Sequence, residues 1–239
     1  MKPETKYLII CIISIAALGL AIYCNSLGGK FIWDDIPIIR DNAYIRDVSH
    51  IKDIFTKSVI AGAGKEGGFY RPVYIATYLL NHSMSGLSTA HIHLTNIVLH
   101  IITALAVLWL VNILSGDKAL SLLTGMLFLA HPVHTEVVSY MSGRVDSLVT
   151  LFVLLALIFY IKSLREKSAL LYAAMIVSYT LAMMTKENAL IFPILVALYH
   201  YSFRNRDGKI RRYTFFPIIA VSLIYFLVRL ALFKAAPLN

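Results

Sequence analysis

Cysteine and charge are the two things this sequence has least of. Of its 239 residues only two are cysteines, Cys11 and Cys24, and both fall in one apolar stretch near the N-terminus. On a single helix they would lie roughly 20 Å apart, beyond the reach of a disulfide bond. The sequence therefore excludes a disulfide-stabilised fold and a metal site built from cysteines.

Charged residues make up 15% of the chain, whereas hydrophobic residues make up 59% and the mean hydropathy is +0.73. A soluble globular domain carries about a quarter charged residues. This composition excludes a water-soluble domain and predicts an all-α integral membrane protein. The net charge of +9 does not indicate nucleic-acid binding, because basic residues accumulate in the cytoplasmic loops of membrane proteins.

Seven apolar segments predict about seven transmembrane helices, and no internal repeat is evident. The segments are Tyr7–Leu27, Leu94–Leu114, Ala119–Ala130, Leu148–Leu164, Ala169–Met184, Ala189–Phe203 and Thr214–Phe233. A spanning helix usually needs roughly 20 residues. The third segment would cover only about 18 Å, so we expect it to span while buried in the bundle, with His131 below the membrane surface.

The positive charges of the short loops predict the orientation. Lys2 and Lys6 precede the first apolar segment, which is too long for a cleaved signal peptide and lacks a small-residue cleavage site, so we expect a retained anchor. With a cytoplasmic N-terminus, most short-loop lysines and arginines fall on the cytoplasmic side. The expected location is the plasma (inner) membrane of a prokaryote or the endoplasmic reticulum membrane of a eukaryote.

The long segment between the first two spans, residues 28–93, is then extracytoplasmic and partly helical. Residues Asp47–Ile60 place apolar side chains at helical spacing and predict an amphipathic helix on the membrane surface. The stretch Ala61–Gly68 predicts a flexible hinge and lacks the Gly-Lys-Ser/Thr order of a P-loop. A second helix is predicted for Tyr70–His82, with Pro72 in its first turn.

The unusual polar residues fall on this same predicted side. They follow the first span, precede the second, or lie at the ends of later helices. They are Asp34, Asp35, Arg71, His82, His91, His93, Asn96, His131, His134, Glu136, Arg144, Asp146, Lys186, Glu187 and Asn188. Polar residues at membrane depth are costly and usually functional. Their convergence predicts an active site at the extracytoplasmic interface.

Each of these groups also has a structural interpretation. The acidic pair Asp34-Asp35 could be solvated at a helix end, although its apolar flank favours a partly buried carboxylate that acts as a general base. Arg71 could extend to the interface or clamp a phosphate. The pair Lys186-Glu187 could form an ion pair at a turn.

The segment His131–Glu136 holds two histidines and a glutamate within six residues. Such a set could bind a divalent metal or a phosphate, or could serve only the structure. Its spacing is not the His-Glu-x-x-His of a zinc protease. We expect Asp34 or Asp35 to lie near this segment in one cavity open to the extracytoplasmic side.

Five short motifs occur along the chain in a fixed order. They are Phe31-Ile-Trp-Asp-Asp35, Tyr70-Arg-Pro72, His93-Leu-Thr-Asn96 with Leu99-His100, His131-Pro-Val-His-Thr-Glu136 with Gly143-Arg144, and Thr185-Lys-Glu187. Together they resemble the N-terminal membrane region of the transmembrane and tetratricopeptide-repeat-containing O-mannosyltransferase family, which belongs to the GT-C superfamily. The resemblance covers roughly Phe31–Tyr201.

This resemblance implies a GT-C-like fold and a glycosyltransferase. Such an enzyme would move a sugar, with inversion, from a polyprenyl- or dolichyl-phosphate carrier to the hydroxyl of a protein or glycan acceptor. Asp34 would be the base and Asp35 its partner. Asp35 could also bind a divalent metal, Mg or Mn, with His131 and Glu136. The donor phosphate would contact Arg71, His131, His134, Arg144 and Lys186, supported by Glu136, Asp146 and Glu187.

Other functions stay open at this point. The chain could be a non-catalytic accessory subunit or a lipid-binding protein. A transporter is disfavoured, because transporters place polar residues near the midplane in paired repeats. Relatives in the family have more spans and usually a C-terminal repeat domain. We therefore expect residues 1–239 to form a single GT-C-like membrane module without that domain.

Overall fold

A computed structural model describes residues 3–207 and 215–233, and these contain helices and turns without a β-strand. The expected all-α membrane protein is confirmed. The α-helices of the described residues are α1 (Pro3–Tyr23), α2 (Ile51–Thr56), α3 (Pro72–Ser85), α4 (Thr89–Ser115), α5 (Lys118–Ala130), α6 (Thr135–Ser139), α7 (Arg144–Glu166), α8 (Ala169–Met183), α9 (Phe192–Asp207) and α10 (Phe215–Phe233). Lys2 and Thr214, which entered the sequence predictions, lie outside the described residues.

Four helical segments of the described chain are long and apolar enough to cross a membrane. They are Glu4–Gly28, Thr89–Ser115, Met141–Glu166 and Phe215–Leu232. Helices α5 and α8 are apolar but have only 13 and 15 residues, which cover about 20 Å and 22 Å. The expected number of about seven spans therefore stays a prediction.

The connection between α4 and α5 shows how local sequence sets the topology. Gly116 ends α4 in the left-handed region, with a φ of 74°, where glycine has no steric penalty. Asp117 then begins α5, since its carboxylate accepts hydrogen bonds from the backbone N–H groups of Ala119 and Leu120. The two helices consequently form an antiparallel hairpin.

The helices pack into one bundle with two apolar cores. One core joins α1, α4 and α5, and the other joins α7, α8, α9 and α10. Helices α4 and α7 contact each other and connect the two cores. Small residues permit close packing, because a Cβ atom at Gly19 of α1 would lie 2.7 Å from Cγ1 of Ile101 in α4.

Residues 29–88 fold onto one end of the bundle, which we call the loop end. Helix α3 confirms the predicted second loop helix. The predicted amphipathic helix at 47–60 is shorter than expected, because α2 ends at Thr56 and Lys57 is extended. The loop forms a further apolar core with α3 and the starts of α4 and α7, which we call the loop core. Ile54 and Val59 are buried in it, whereas Ile51 is 43% exposed. The apolar side chains of this segment are thus divided between the core of the loop and its surface.

Candidate active site at the loop end

A strained turn directly precedes the two acidic side chains that follow α1. Trp33 has a φ of 43°, a conformation that bulky residues rarely adopt and that often marks functional sites. After this turn Asp34 is exposed and Asp35 is buried. The backbone N–H of Asp34 donates to the hydroxyl oxygen of Tyr140 at 3.0 Å. Two neighbouring carboxylates therefore occupy different environments.

Asp35 has an anchoring position. Its side chain is 1% exposed. Its Oδ1 accepts hydrogen bonds from the backbone N–H of Ser142 at 2.8 Å and from the Ser142 hydroxyl at 2.5 Å. Its Oδ2 accepts from the backbone N–H of Ile32 at 3.1 Å. Both carboxylate oxygens thus hold the acidic turn against the segment that leads into α7.

Buried polar side chains of α3 and α4 position that segment. Asn96 donates to the carbonyl oxygens of Tyr140 and Met141 at 3.2 Å and 3.1 Å. Tyr74 donates to the carbonyl of Ser142, and Tyr78 to that of Met141. Burial raises the pKa of Tyr78 to about 12, so its phenol stays protonated and donates at neutral pH. Helices α3 and α4 therefore fix the anchor of Asp35.

Arg144 belongs to this buried network. It is fully buried. Its guanidinium donates to the side-chain oxygen of Asn96 at 2.8 Å, to Thr77 and to the carbonyl of Ile92. It also lies 4.2 Å from the ring centroid of Tyr78. In this arrangement Arg144 holds α3 and α4 to the start of α7, and no surface of its guanidinium is open to a phosphate.

Asp34 lines a cavity of about 260 Å³ at the loop end. The other polar side chains in its wall come from α3 and the residue before it, from the segment between α5 and α7, and from α7 itself. They are Arg71, Tyr74, Glu136, Tyr140, Ser142 and Asp146. We call this the acid cavity. Because Glu136 also lines this cavity, Asp34 lies near the His131–Glu136 segment, as expected.

Two ion pairs border the acid cavity. The guanidinium of Arg71 contacts both carboxylate oxygens of Glu187, at 3.0 Å and 3.4 Å. The ammonium of Lys186 lies 2.5 Å from Oδ1 of Asp146. Burial raises the pKa of Glu187. The hydrogen bond and the positive charge of Arg71 have the opposite and larger effect, so the pKa is below its usual value. Among the described residues Lys186 and Glu187 therefore pair with Asp146 and Arg71, and not with each other as the sequence suggested.

The two histidines of the 131–136 segment lie outside the wall of the acid cavity. Nδ1 of His131 accepts the backbone N–H of Val133 and begins a short 3-10 turn. Nδ1 of His134 lies 2.9 Å from the carbonyl oxygen of Phe128, so this nitrogen carries the proton. Burial lowers the pKa of His134, which leaves the ring neutral at pH 7. In this tautomer Nε2 of His134 accepts and cannot donate to a phosphate.

The three metal ligands expected from the sequence do not form one group. Asp35 uses both oxygens for backbone and serine donors, whereas His131 and Glu136 are exposed. Among residues 3–207 and 215–233, no three histidine, cysteine, aspartate or glutamate side chains lie together in a metal-binding arrangement. The side chains described therefore do not fit a bound divalent metal at this set.

The sequence matches the dolichyl-phosphate-mannose-protein mannosyltransferase (PMT) family over residues 40–236. The chain belongs to the PMT family. This match begins at residue 40 and does not include Asp34 and Asp35. The assignment of these two residues to the candidate site therefore rests on the geometry described above. No solved structure matches the chain.

This PMT-family chain is also similar to several curated proteins. It is 34% identical over 151 residues to protein O-mannosyl-transferase TMTC2 of Homo sapiens, which covers 62% of the chain and 18% of that protein. It is 27% identical over 213 residues to TMTC1 of Homo sapiens, which covers 82% of the chain and 24% of that protein. The chain thus spans only a minor part of the length of these relatives, and the resemblance seen in the five motifs is confirmed.

Three residues at the loop end were not expected from the sequence. Tyr140 and Ser142 were missed because a hydroxyl in a short connection carries no pattern. Arg229 lies in α10 and donates to the carbonyl oxygen of Gly68 at 3.1 Å. The sequence does contain a signal for Arg229, because a lone arginine in an apolar span usually has a function.

Proposed function

We propose that this chain is the catalytic membrane module of a mannosyltransferase that uses a polyprenyl- or dolichyl-phosphate mannose donor. The acceptor is the hydroxyl of a protein or glycan, and the reaction takes place on the extracytoplasmic side with the N-terminus in the cytoplasm. One observation carries the proposal: the exposed carboxylate of Asp34 and the partly buried guanidinium of Arg71 line the same cavity. A carboxylate and a guanidinium in one cavity supply the base and the phosphate ligand that the transfer requires.

The chemical step follows from these groups. The acceptor oxygen attacks C1 of the mannose while the carboxylate of Asp34 takes the hydroxyl proton. The bond between C1 and the phosphate oxygen breaks, and its electron pair stays on the lipid phosphate. Arg71 and Lys186 stabilise the negative charge that develops there. Glu187 and Asp146 orient these two cations through their ion pairs.

The other polar residues have supporting roles in this proposal. Asp35 and Arg144 hold the acidic turn and the start of α7, and Glu136 contributes negative charge to the cavity wall. His131 is a further candidate phosphate donor, because its side chain is exposed and its Nδ1 is an acceptor, which leaves Nε2 to donate. The proposed step relies on these side chains alone.

Transfer by the protein in liposomes tests the proposal. The donor is synthetic polyprenyl-phosphate mannose and the acceptor is a serine- and threonine-containing peptide. We expect Asp34→Asn to lower kcat by about 100-fold or more while lipid binding is retained. Asp41→Asn is the matched control, because Asp41 is an exposed carboxylate of the same loop that pairs with Arg40.

The result also separates the enzyme from an accessory or lipid-binding protein. Mannose transfer that depends on Asp34 supports the enzyme. A wild-type protein that binds the donor lipid without transfer, or an Asp34→Asn variant with unchanged kcat, would show that the proposed reaction is wrong.

A further inference from the structure

The last described helix carries one charged residue, Arg229. A charged side chain is costly in an apolar membrane segment and is usually retained for function. Its Nη2 donates to the carbonyl oxygen of Gly68. Among the residues the structure describes, no aspartate or glutamate forms an ion pair with Arg229. Arg229 therefore brings a positive charge to the loop end without a carboxylate of its own.

Helix α10 places this charge beside Arg71. One turn before Arg229, the hydroxyl of Tyr225 donates to the carbonyl oxygen of Tyr70 at 2.9 Å. The two α10 side chains thus bind the backbone on the segment that ends in Arg71. Glu187 is close enough to both guanidinium groups for each to favour its charged form. Glu187 pairs directly with Arg71, and the second guanidinium, that of Arg229, is hydrogen-bonded to the same backbone segment, so these three side chains carry one net positive charge.

An apolar slot of about 220 Å³ lies between α8 and α10 and reaches Tyr70, the residue before Arg71. Its wall includes Tyr70 and Tyr225 at the loop end, followed by Met183, Val221 and Ile224. Ile224 is 60% exposed, so the slot opens sideways on the outside of the bundle. An anion with an apolar chain matches this combination, because the arginines attract the anion and the slot covers the chain.

We propose that Arg229 and Arg71 together bind the phosphate of an isoprenoid phosphate lipid whose chain lies in the slot between α8 and α10. This inference rests on the proposed function and assigns its donor a route from the bilayer. Two guanidinium groups can offer paired N–H donors to the phosphate oxygens, a geometry that lysine does not reproduce. The lipid would enter sideways and present its sugar to the acid cavity, which Arg71 also lines.

Lipid binding in the absence of turnover tests the inference. Undecaprenyl phosphate is titrated into phosphatidylcholine nanodiscs that hold the Asp34→Asn protein, and the adducts are counted by native mass spectrometry. We expect Arg229→Gln to weaken binding at least about tenfold, as for loss of one charge-assisted hydrogen bond, and Arg229→Lys to weaken it less. The matched control is Arg40→Gln, which removes an exposed arginine of the loop.

A second pair of variants tests the slot. Val221→Trp fills the slot between α8 and α10, and we expect it to weaken lipid binding. Leu154→Trp fills a different groove, between α7 and α9, at a similarly half-buried position and should leave binding unchanged. Thermal unfolding in the same nanodiscs identifies any variant that fails to fold.

The outcomes distinguish this inference from the proposed function. If the wild type transfers mannose but Arg229→Gln and Val221→Trp bind the lipid normally, the inference is wrong and the proposed function stands. Weaker binding in Leu154→Trp alone would also overturn it. If Arg229→Gln changes only the binding of inorganic phosphate, the arginines form a free-phosphate site and the lipid assignment fails. If the wild type binds undecaprenyl phosphate through Arg229 but transfers no mannose, only the proposed function fails.

Discussion

Lys186 and Asp146 meet at the loop end, where the lysine Nζ lies 2.5 Å from the carboxylate Oδ1. Lys186 comes from the connection between α8 and α9, and Asp146 from the first turn of α7. Asp146 borders the acid cavity, the groove between α7 and α9, and a small cavity next to His134. This ion pair thus holds the connection between α8 and α9 against the start of α7, beside the acid cavity.

The first prediction concerns Lys186. If its ammonium stabilises the leaving phosphate, Lys186→Gln should lower kcat/KM by roughly 10- to 100-fold, as for loss of a hydrogen bond to a charged group. The unfolding free energy should change by less than about 1 kcal/mol, because an ion pair with a 42% exposed carboxylate is partly screened.

Lys162→Gln is the matched control for this prediction. Lys162 pairs with Glu166 at the other end of α7. Steady-state kinetics with the lipid donor and thermal unfolding are measured for both variants. An unchanged kcat/KM in Lys186→Gln would show that the ammonium has no part in the transfer.

The second prediction concerns the buried anchor Asp35. Asp35→Asn keeps one acceptor oxygen for Ser142 but turns an N–H₂ group towards the backbone N–H of Ile32, so two donors face each other in a buried site. We expect a loss of about 1–3 kcal/mol in unfolding free energy. Ser142→Ala removes one hydrogen bond and should cost less. Thermal unfolding in detergent measures both, with the exposed Ser83→Ala as a control. A wild-type melting temperature for Asp35→Asn would contradict the anchoring role.

Much of the fold follows from sequence patterns that act locally. Apolar runs locate the long helices, Pro72 begins α3, and Gly116 with Asp117 makes the turn between α4 and α5. The end of α2 was not predictable, because the burial of Ile54 depends on its contact with the loop core rather than on helical periodicity.

The site was predictable as a set of residues but not in its division of roles. Asp34 and Asp35 are identical in sequence terms, and only the left-handed backbone at Trp33 and the position of Ser142 make one exposed and the other buried. Arg144 and Arg71 are likewise the same residue type. Asn96 and Thr77 reach Arg144 from two other helices, and no short-range pattern encodes that convergence.

The third prediction follows from the burial of Arg144. Arg144→Lys should lower the unfolding free energy by at least about 2 kcal/mol, because one ammonium cannot reach Asn96, Thr77 and Ile92 together. Thr77→Val removes a single acceptor and should cost about 1 kcal/mol. The yield of folded protein and thermal unfolding are compared with Arg46→Lys, an exposed arginine of the loop. Equal stability of Arg144→Lys and Arg46→Lys would rule out the buried network.

The fourth prediction is a pH dependence that comes from Glu187. Its pKa in the folded protein is below the ordinary value of 4.5, with the hydrogen bond from Arg71 as the main lowering cause against the effect of burial. A lowered pKa gives stability that is fully present above about pH 4.5 and is lost as the pH falls through the folded pKa. The melting temperature of the wild type should therefore exceed that of Glu187→Gln at neutral pH, and the difference should shrink below pH 4.5. A difference that is constant from neutral pH to pH 3 would contradict the charged pair.

The proposed active site requires one cavity that holds Asp34 and Glu136 on one side of the membrane. The most direct measurement is labelling of Asp34→Cys and Glu136→Cys, singly, with a membrane-impermeant maleimide in sealed vesicles, after Cys11 and Cys24 are replaced by serine. We predict that both positions are labelled from the extracytoplasmic side and that polyprenyl-phosphate mannose protects both. Labelling from opposite sides, or no protection at either position, would contradict the shared active site.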